Sequence, residues 1–479
     1  MRTALVWLRR DLRVHDHPAL SAALQHADEV IVAFCLDRRL LCGRHRSGPR
    51  TQFMIECLQD LERSLRGRGS GLIVLRGVPE QELPRLARRL GAQAVHASAD
   101  TGPFACRRDA GVRVALETMS IETHLHPGLF AVDEPTAIRT RDGRPQTVFT
   151  PYHRAWLCEP RREVLPAPSA LPPLPPDVDV GHMPRLNELG LHRSVTNPPE
   201  GGEHAGRMRL EAFLSGGVQG YAERRNLLSS NGTSSLSPYL HFGCLSPREI
   251  EELLPAGAGA CEFHRQLCWR DFYAQVLHSF PRNTRDEHQP RYRGTLRWRH
   301  TQTHFRAWRE GRTGYPIVDA AMRQLLREGW IPNRGRLIAG SFLTKDLGVD
   351  WRWGEGWFMR LLLDGDEASN NGNWQWIASV GVDPQPPARR LYNPILQQRR
   401  FDPSGTYVRR HVPELTRVPD EYLAEPWRMS RKLQDDTGCV IGRDYPAPIV
   451  EHRQARLEAL ARFAAAREDL LHAPERCRP

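Results

Sequence analysis

Val30-Ile-Val-Ala-Phe-Cys35 is an unbroken apolar run of strand length. A run without polar alternation fits a strand covered on both faces, as in a parallel sheet. Similar runs recur at Ala4–Leu8, Leu72–Leu75 and Ala94–Ala97, all in the first third of the chain. Between them lie Ala19–Ala27, Thr51–Gly67, Pro79–Leu90 and Pro103–Thr118, whose apolar residues repeat at helical spacing. Strand and helix in alternation predict a doubly wound parallel sheet. No Gly-x-Gly-x-x-Gly follows the first strand, so the dinucleotide fingerprint is absent.

Beyond this region the composition changes. From about Asp133 to Glu203 the chain is rich in Pro and Gly, as in Pro172-Pro-Leu-Pro-Pro176, and reads as a long surface connector. After Arg207 long helical patterns dominate, ending in an amphipathic stretch from Ile449 to Leu470. The expected fold class is an α/β domain joined to an all-α domain. With 479 residues the chain exceeds one typical core. The expected division is 1–132, a connector over 133–203, and a helical domain over 204–479.

Composition excludes several classes. The ten cysteines are scattered singly with no Cys-x-x-Cys pair, which supports neither a zinc site nor a disulfide framework. The N-terminus runs straight into a strand-like segment, and no stretch is apolar for the length of a membrane span. A cytoplasmic protein is expected. Lys plus Arg is 67 against 56 for Asp plus Glu, a formal charge of +11. That excess fits a polyanionic partner, although charge alone is a weak pointer.

Residues 364–376 read Asp-Gly-Asp-Glu-Ala-Ser-Asn-Asn-Gly-Asn-Trp-Gln-Trp. Three acids and three asparagines are too polar for a core, and two tryptophans are too apolar for a solvated loop. The mixture suits a pocket wall holding a flat ring with polar edges. Asp364 and Asp366 accept hydrogen bonds, Asn370 and Asn371 donate or accept, and Trp374 and Trp376 offer π-faces. Elsewhere, Asn231-Gly-Thr-Ser-Ser-Leu-Ser-Pro238 sets hydroxyls before an apolar helical run, a pattern of ordinary N-caps that also favours phosphate.

Taken with Leu5-Val-Trp-Leu-Arg-Arg-Asp-Leu-Arg13 and Tyr445-Pro-Ala-Pro-Ile-Val-Glu-His452, these segments resemble the photolyase/cryptochrome family along nearly the whole chain. The resemblance implies an N-terminal antenna domain and a C-terminal domain that binds FAD and DNA. It implies that Tyr221, Thr233, Ser234, Leu236 and Ser237 lie along the FAD diphosphate, with Arg270, Asn333, Arg336, Asp364 and Asp366 around the rest of the cofactor. Arg336 is placed to pair with an acid of the Asp364–Asp366 segment. Asn370 falls where the family faces the flavin N5; photolyases usually carry Asn there, plant cryptochromes Asp and animal cryptochromes Cys. Of the twelve tryptophans, eight fall between Trp298 and Trp376. Trp374, Trp351 and Trp298 match the family's electron-hopping positions, from the ring outward. Trp269 and Trp376 match the aromatic wedge around a flipped-out pyrimidine dimer. Arg225, Arg334 and Arg390 match its phosphate contacts, and Asn333 and Leu337 lie beside the lesion.

The chain departs from the family's dimer-repair pattern at Gln266, where Glu is usual. Gln is a feature of (6-4) photolyases and animal cryptochromes, but the histidine pair of the (6-4) enzymes is replaced by Asn333 and Leu337. Ala388 and Arg389 stand where aromatics often precede the rim arginine. The balance favours a cyclobutane-dimer photolyase acting on UV-damaged DNA as a monomer, with no metal and no obligate protein partner. The alternatives are a (6-4) photolyase and a cryptochrome-like blue-light photoreceptor, which the absence of a long extension after the last helix argues against. Asp100-Thr-Gly-Pro-Phe-Ala-Cys-Arg-Arg-Asp109 resembles the antenna segment of deazaflavin-using members more than folate-using ones. The expected second chromophore is therefore of the 8-hydroxy-5-deazaflavin type.

Overall fold

The computed structural model of the protein describes residues 2–230, 232–383 and 385–471. Asn231, which opens the hydroxyl-rich segment, and Cys477 lie outside the described residues. Five parallel strands form one sheet: β1 (Thr3–Leu8), β2 (Glu29–Asp37), β3 (Leu72–Gly77), β4 (Ala94–Ser98) and β5 (Glu122–His126), in the order β3-β2-β1-β4-β5. Chain order reverses at β1, the doubly wound pattern. The strand period of two separates the faces. Leu5, Trp7, Ile31 and Ala33 meet Leu83, Leu86, Val112 and Leu116 on one side. Val6, Val32 and Phe34 meet Phe53 and Leu58 on the other.

The sequence reading did not include β5. Its residues, Glu122-Thr-His-Leu-His126, pair on one side only and stay partly solvated, so they lack the apolar run of an inner strand. The connector also carries a helix that its Pro-rich composition hid. Phe149–Cys158 packs on the long Ala258–Ser279 helix, burying Tyr152 and Trp156. The Trp156 indole N–H donates to Asp271 at 3.0 Å.

The sheet and the helical region share a core. Phe53 of the Gly48–Arg66 helix meets Tyr239 and Phe242 at ring-centroid distances of 5.5 and 5.7 Å. Arg13 is fully buried, and its guanidinium donates to the carbonyls of Asp16, Gly128 and Gly243. A buried guanidinium is tolerated because acceptors surround it. The helical region closes with His452–Leu471, whose Ala455, Ala459 and Phe463 face inward. Among the described residues no helix is long and apolar enough to cross a membrane.

Candidate active site

Glu367–Ala378 is the central helix of the site, and it packs against Ala258–Ser279, Asn333–Ser341 and Trp351–Leu361. Its start is set by Asp366, whose carboxylate accepts from the Ser369 N–H at 2.8 Å. The same carboxylate receives Arg10 from the end of β1 at 2.9 Å. Burial opposes the charge, but Arg10, His241 and the Ser369 N–H together hold Asp366 well below the usual carboxylate range. Asp366 is therefore a helix cap and a tie between the two parts of the molecule.

Asp364 is paired with Arg336, Nη2 to Oδ2, at 2.7 Å. The Arg336 Nε also donates to the Ile331 carbonyl at 3.0 Å, so two bonds fix the guanidinium. The other carboxylate oxygen of Asp364, Oδ1, is buried without a partner. Two residues into the next turn, Asn370 is buried, and its Nδ2 donates to the carbonyl and the carboxyl of Glu355 at 3.1 and 3.2 Å. With its N–H groups held there, the Asn370 carbonyl oxygen is left to other partners. Asp364 Oδ1 and Asn370 Oδ1 are thus two acceptors without a partner among the described residues. Asn371 and Gln375, by contrast, bind the Asn283 carbonyl at 2.8 and 2.9 Å and serve the fold.

Trp374 is buried, edge-on to Phe358 at 5.0 Å and to Trp308 at 6.1 Å between centroids. Gly354 makes that seat possible, since a Cβ there would collide with the indole. Trp298 and Trp351 are joined through Glu287, which accepts from the Trp298 indole at 3.3 Å and from Arg352 at 2.8 Å. Arg352 lies over the Trp351 ring at 4.8 Å. Trp308 lies far from Trp374 in sequence, and only the fold reveals their contact.

The two wedge tryptophans are half-buried and supported from behind. Trp269 stacks on Phe149 with centroids 3.6 Å apart and planes 2° from parallel. Arg265 also lies over the Phe149 ring at 5.0 Å. Trp376 donates from its indole to Asp383 at 3.2 Å and carries Arg390 on its ring at 4.1 Å. Phe149 lies far from Trp269 in sequence, and no local pattern marks it.

Three arginines assigned to phosphate contacts have other partners. Arg390 is only 2% exposed; it pairs with Asp383 and donates to the Trp376 carbonyl at 2.8 Å. Its guanidinium is thus held between Asp383 and Trp376, with little access to solvent. Arg225 pairs with Glu262 at 2.8 Å. Arg334 donates to Asn226 at 3.0 Å and lies over Phe401 at 4.1 Å, half-buried. Asn333 is exposed at the start of its helix, with Leu337 half-buried one turn on.

Of the hydroxyl-rich segment, Ser237 accepts from the Trp330 indole at 3.0 Å, and the Ser234 carbonyl accepts from Arg209 at 2.9 Å. Leu236 is buried and Thr233 half-buried. Tyr221 is buried edge-on against Phe213 and Phe263. Arg270 donates to the Leu129 carbonyl at 2.5 Å and lies over Phe130. It also borders a cavity of about 270 Å³ between the sheet and the helical region. Asp100, Phe104 and Arg108 of the segment read as an antenna site line that cavity, with His241 and Asp366 on the opposite wall.

The sequence profile "DNA photolyase" matches residues 4–173, and "FAD binding domain of DNA photolyase" matches residues 263–465. The chain is 41% identical to a deoxyribodipyrimidine photo-lyase of Streptomyces griseus, over 98% of this chain and 99% of that one. It is 36% identical to a cryptochrome DASH of Gloeobacter violaceus, covering 98% and 97% of the two chains. A crystal structure of a class III photolyase from Agrobacterium tumefaciens superposes with a TM-score of 0.90 at 33% identity, covering 98% of each chain. The chain belongs to the DNA photolyase family and is an enzyme with that family's FAD-binding domain.

Proposed function

We propose that this enzyme repairs cyclobutane pyrimidine dimers in DNA with light, using reduced FAD. The observation that carries the reading is the Asp364–Trp376 segment. It places the open Asp364 and Asn370 acceptors, the buried Trp374 and the half-buried Trp376 within thirteen residues. In this reading Asp364 and Asn370 hold the N–H edge of the flavin, Arg336 neutralises Asp364, and Arg270 and Asp366 stand near the ring. Tyr221, Thr233, Ser234, Leu236 and Ser237 line the diphosphate. When bound, reduced FAD supplies on excitation the electron that opens the cyclobutane ring and receives it back. The protein flips the lesion, orients it and excludes water. Trp269 and Trp376 clasp the extruded dimer, Phe149 and Arg390 hold those two rings in place, and Asn333 and Leu337 border it.

Trp374, Trp351 and Trp298 form the route by which electrons from the surface reach oxidised FAD. Residues 1–132 carry the antenna, 133–203 connect, and 204–479 hold FAD and DNA. The cavity lined by Asp100, Phe104 and Arg108 takes a flat second chromophore, of the 8-hydroxy-5-deazaflavin type. The enzyme acts as a cytoplasmic monomer. Gln266 favours a second reading, a (6-4) photolyase; Asn333 and Leu337, in place of a histidine pair, weigh against it. A photoreceptor role has only the cryptochrome relatives in its support.

The test is to illuminate reduced holoprotein with an oligonucleotide carrying one cyclobutane thymine dimer. Light-dependent loss of the dimer is expected; turnover of a (6-4) product alone would reverse the lesion assignment. Trp374→Phe is expected to slow photoreduction of oxidised FAD, followed by absorbance, while pre-reduced enzyme keeps its repair. Equal collapse of both would remove Trp374 from the electron route.

A further inference from the structure

The central helix of the site ends on a residue of unusual conformation. Ser379 follows Ala378 at φ +65°, in the left-handed region where glycine is the common choice after a helix. A serine there persists only when its surroundings hold it. Lys345 does so from the π-helical turn Phe342–Asp346, which continues the Asn333–Ser341 helix. Its Nζ donates to the Ala378 carbonyl at 2.7 Å and to the Ser379 hydroxyl at 3.1 Å, and lies over the Phe463 ring at 4.1 Å. Lys345 and Ser379 are each 1% exposed, and Lys345 has no carboxylate partner among the described residues. Burial, with the charges of Arg462 and Arg390, holds its pKa well below the usual lysine range. An uncharged amine still carries two N–H donors, one for each acceptor, so both bonds survive loss of the proton. From Ser379 the chain folds back on the helix it has just left. The Val380 and Gly381 N–H groups both donate to the Gln375 carbonyl, at 3.0 and 3.1 Å. Asp383 then accepts from the Trp376 indole at 3.2 Å and pairs with Arg390, whose guanidinium lies over the Trp376 ring at 4.1 Å. The reversal at Ser379 therefore delivers the carboxylate that orients Trp376.

We infer that Lys345 is a positioning residue for lesion recognition: by holding Ser379 in its left-handed conformation it brings Asp383 onto Trp376 and fixes that ring. The inference rests on the cyclobutane-dimer reading, in which Trp376 clasps the lesion. Asn370 and Trp374 lie earlier in the helix, before the turn that Lys345 holds. Lys345 thus acts on the DNA side of the site and not on its flavin side.

The experiment measures dark binding of the holoenzyme to an oligonucleotide with one cyclobutane thymine dimer and to the same oligonucleotide undamaged. Flavin content and photoreduction of oxidised FAD are followed by absorbance. The wild type is expected to prefer the dimer. In Lys345→Met that preference is expected to fall about tenfold, near the lower end of what one base–aromatic stack contributes. Flavin content and photoreduction are expected to be retained. Adding Ser379→Gly to Lys345→Met is expected to restore most of the preference, because glycine takes the left-handed conformation without support. Ser379→Ala and Ser379→Gly, each with Lys345 in place, keep the test decisive if Lys345→Met folds poorly. Alanine loses the hydroxyl and keeps the strain, so Ser379→Ala is expected to discriminate severalfold less than Ser379→Gly. Four results each overturn the inference while leaving dimer repair standing: an undiminished preference in Lys345→Met, a preference that Ser379→Gly does not restore, equal preferences in the two Ser379 variants, or a parallel loss of flavin and photoreduction. A wild type that does not prefer the dimer to undamaged DNA overturns the repair reading and the inference with it.

Discussion

Arg336→Ala is expected to lower the stability of the folded protein by about 3 kcal/mol and to strip it of FAD. The Asp364 side chain is 5% exposed, so its charge has little access to water. Arg336 is its one ion-pair partner among the described residues, at 2.7 Å. Removing the guanidinium leaves a carboxylate buried and uncompensated, the costly half of breaking a buried pair. The figure is set at the low end of that range because the charge of Arg50 also acts on Asp364. Lysine should rescue only in part. It restores the charge but cannot bridge both Asp364 and the Ile331 carbonyl as the planar Arg336 does. Urea titration gives the stability, and flavin absorbance after desalting gives the retained cofactor. A variant with unchanged midpoint and full flavin content would show that Asp364 does not depend on Arg336.

This pair was anticipated through the family resemblance, which sets Arg336 against the Asp364–Asp366 segment. The inner strands were legible for a local reason: burial on both faces leaves an uninterrupted apolar run, as in Val30–Cys35. β5 was not, because Glu122-Thr-His-Leu-His126 is partly solvated and carries no apolar run. The Phe149–Cys158 helix was masked by prolines on both sides of it, although Tyr152 and Trp156 mark its buried face. The partners of the arginines were not legible for a different reason. A guanidinium in a sequence looks free, whereas the fold decides whether an acid such as Glu262 or Asp383 reaches it first. Phe149 behind Trp269 and Trp308 beside Trp374 are contacts between distant segments, and no periodicity encodes them.

Glu355 is the other such residue, and it gives the site a pH dependence. It is 4% exposed on the Trp351–Leu361 helix, where it accepts from the Asn370 amide. Burial pushes its carboxyl from 4.5 up to about 7, against the opposing pull of Arg44 and Asn370. The raised value means that the folded state holds the proton more tightly than the unfolded chain does. Below about pH 4.5 both states are protonated and Glu355 carries no penalty. As pH rises toward 7 the unfolded chain ionises freely while the folded state resists, so stability falls; above 7 the loss is complete. The gap corresponds to roughly 3 kcal/mol. Glu355→Gln keeps an oxygen for Asn370 to donate to and removes the titration. Relative to wild type, the variant is expected to gain little at pH 5 and up to about 3 kcal/mol at pH 8. The comparison has to be made as a difference between the two proteins at each pH, because Asp271, also raised by burial to about 6, titrates in both. Urea midpoints at several pH values supply that difference. A gain independent of pH would mean that Glu355 is already ionised in the folded protein, with its charge neutralised by a partner the burial argument leaves out. A gain that follows the expected curve would identify Glu355 as a carboxyl that keeps its proton near neutrality, beside the one amide that faces the flavin in the proposed reading.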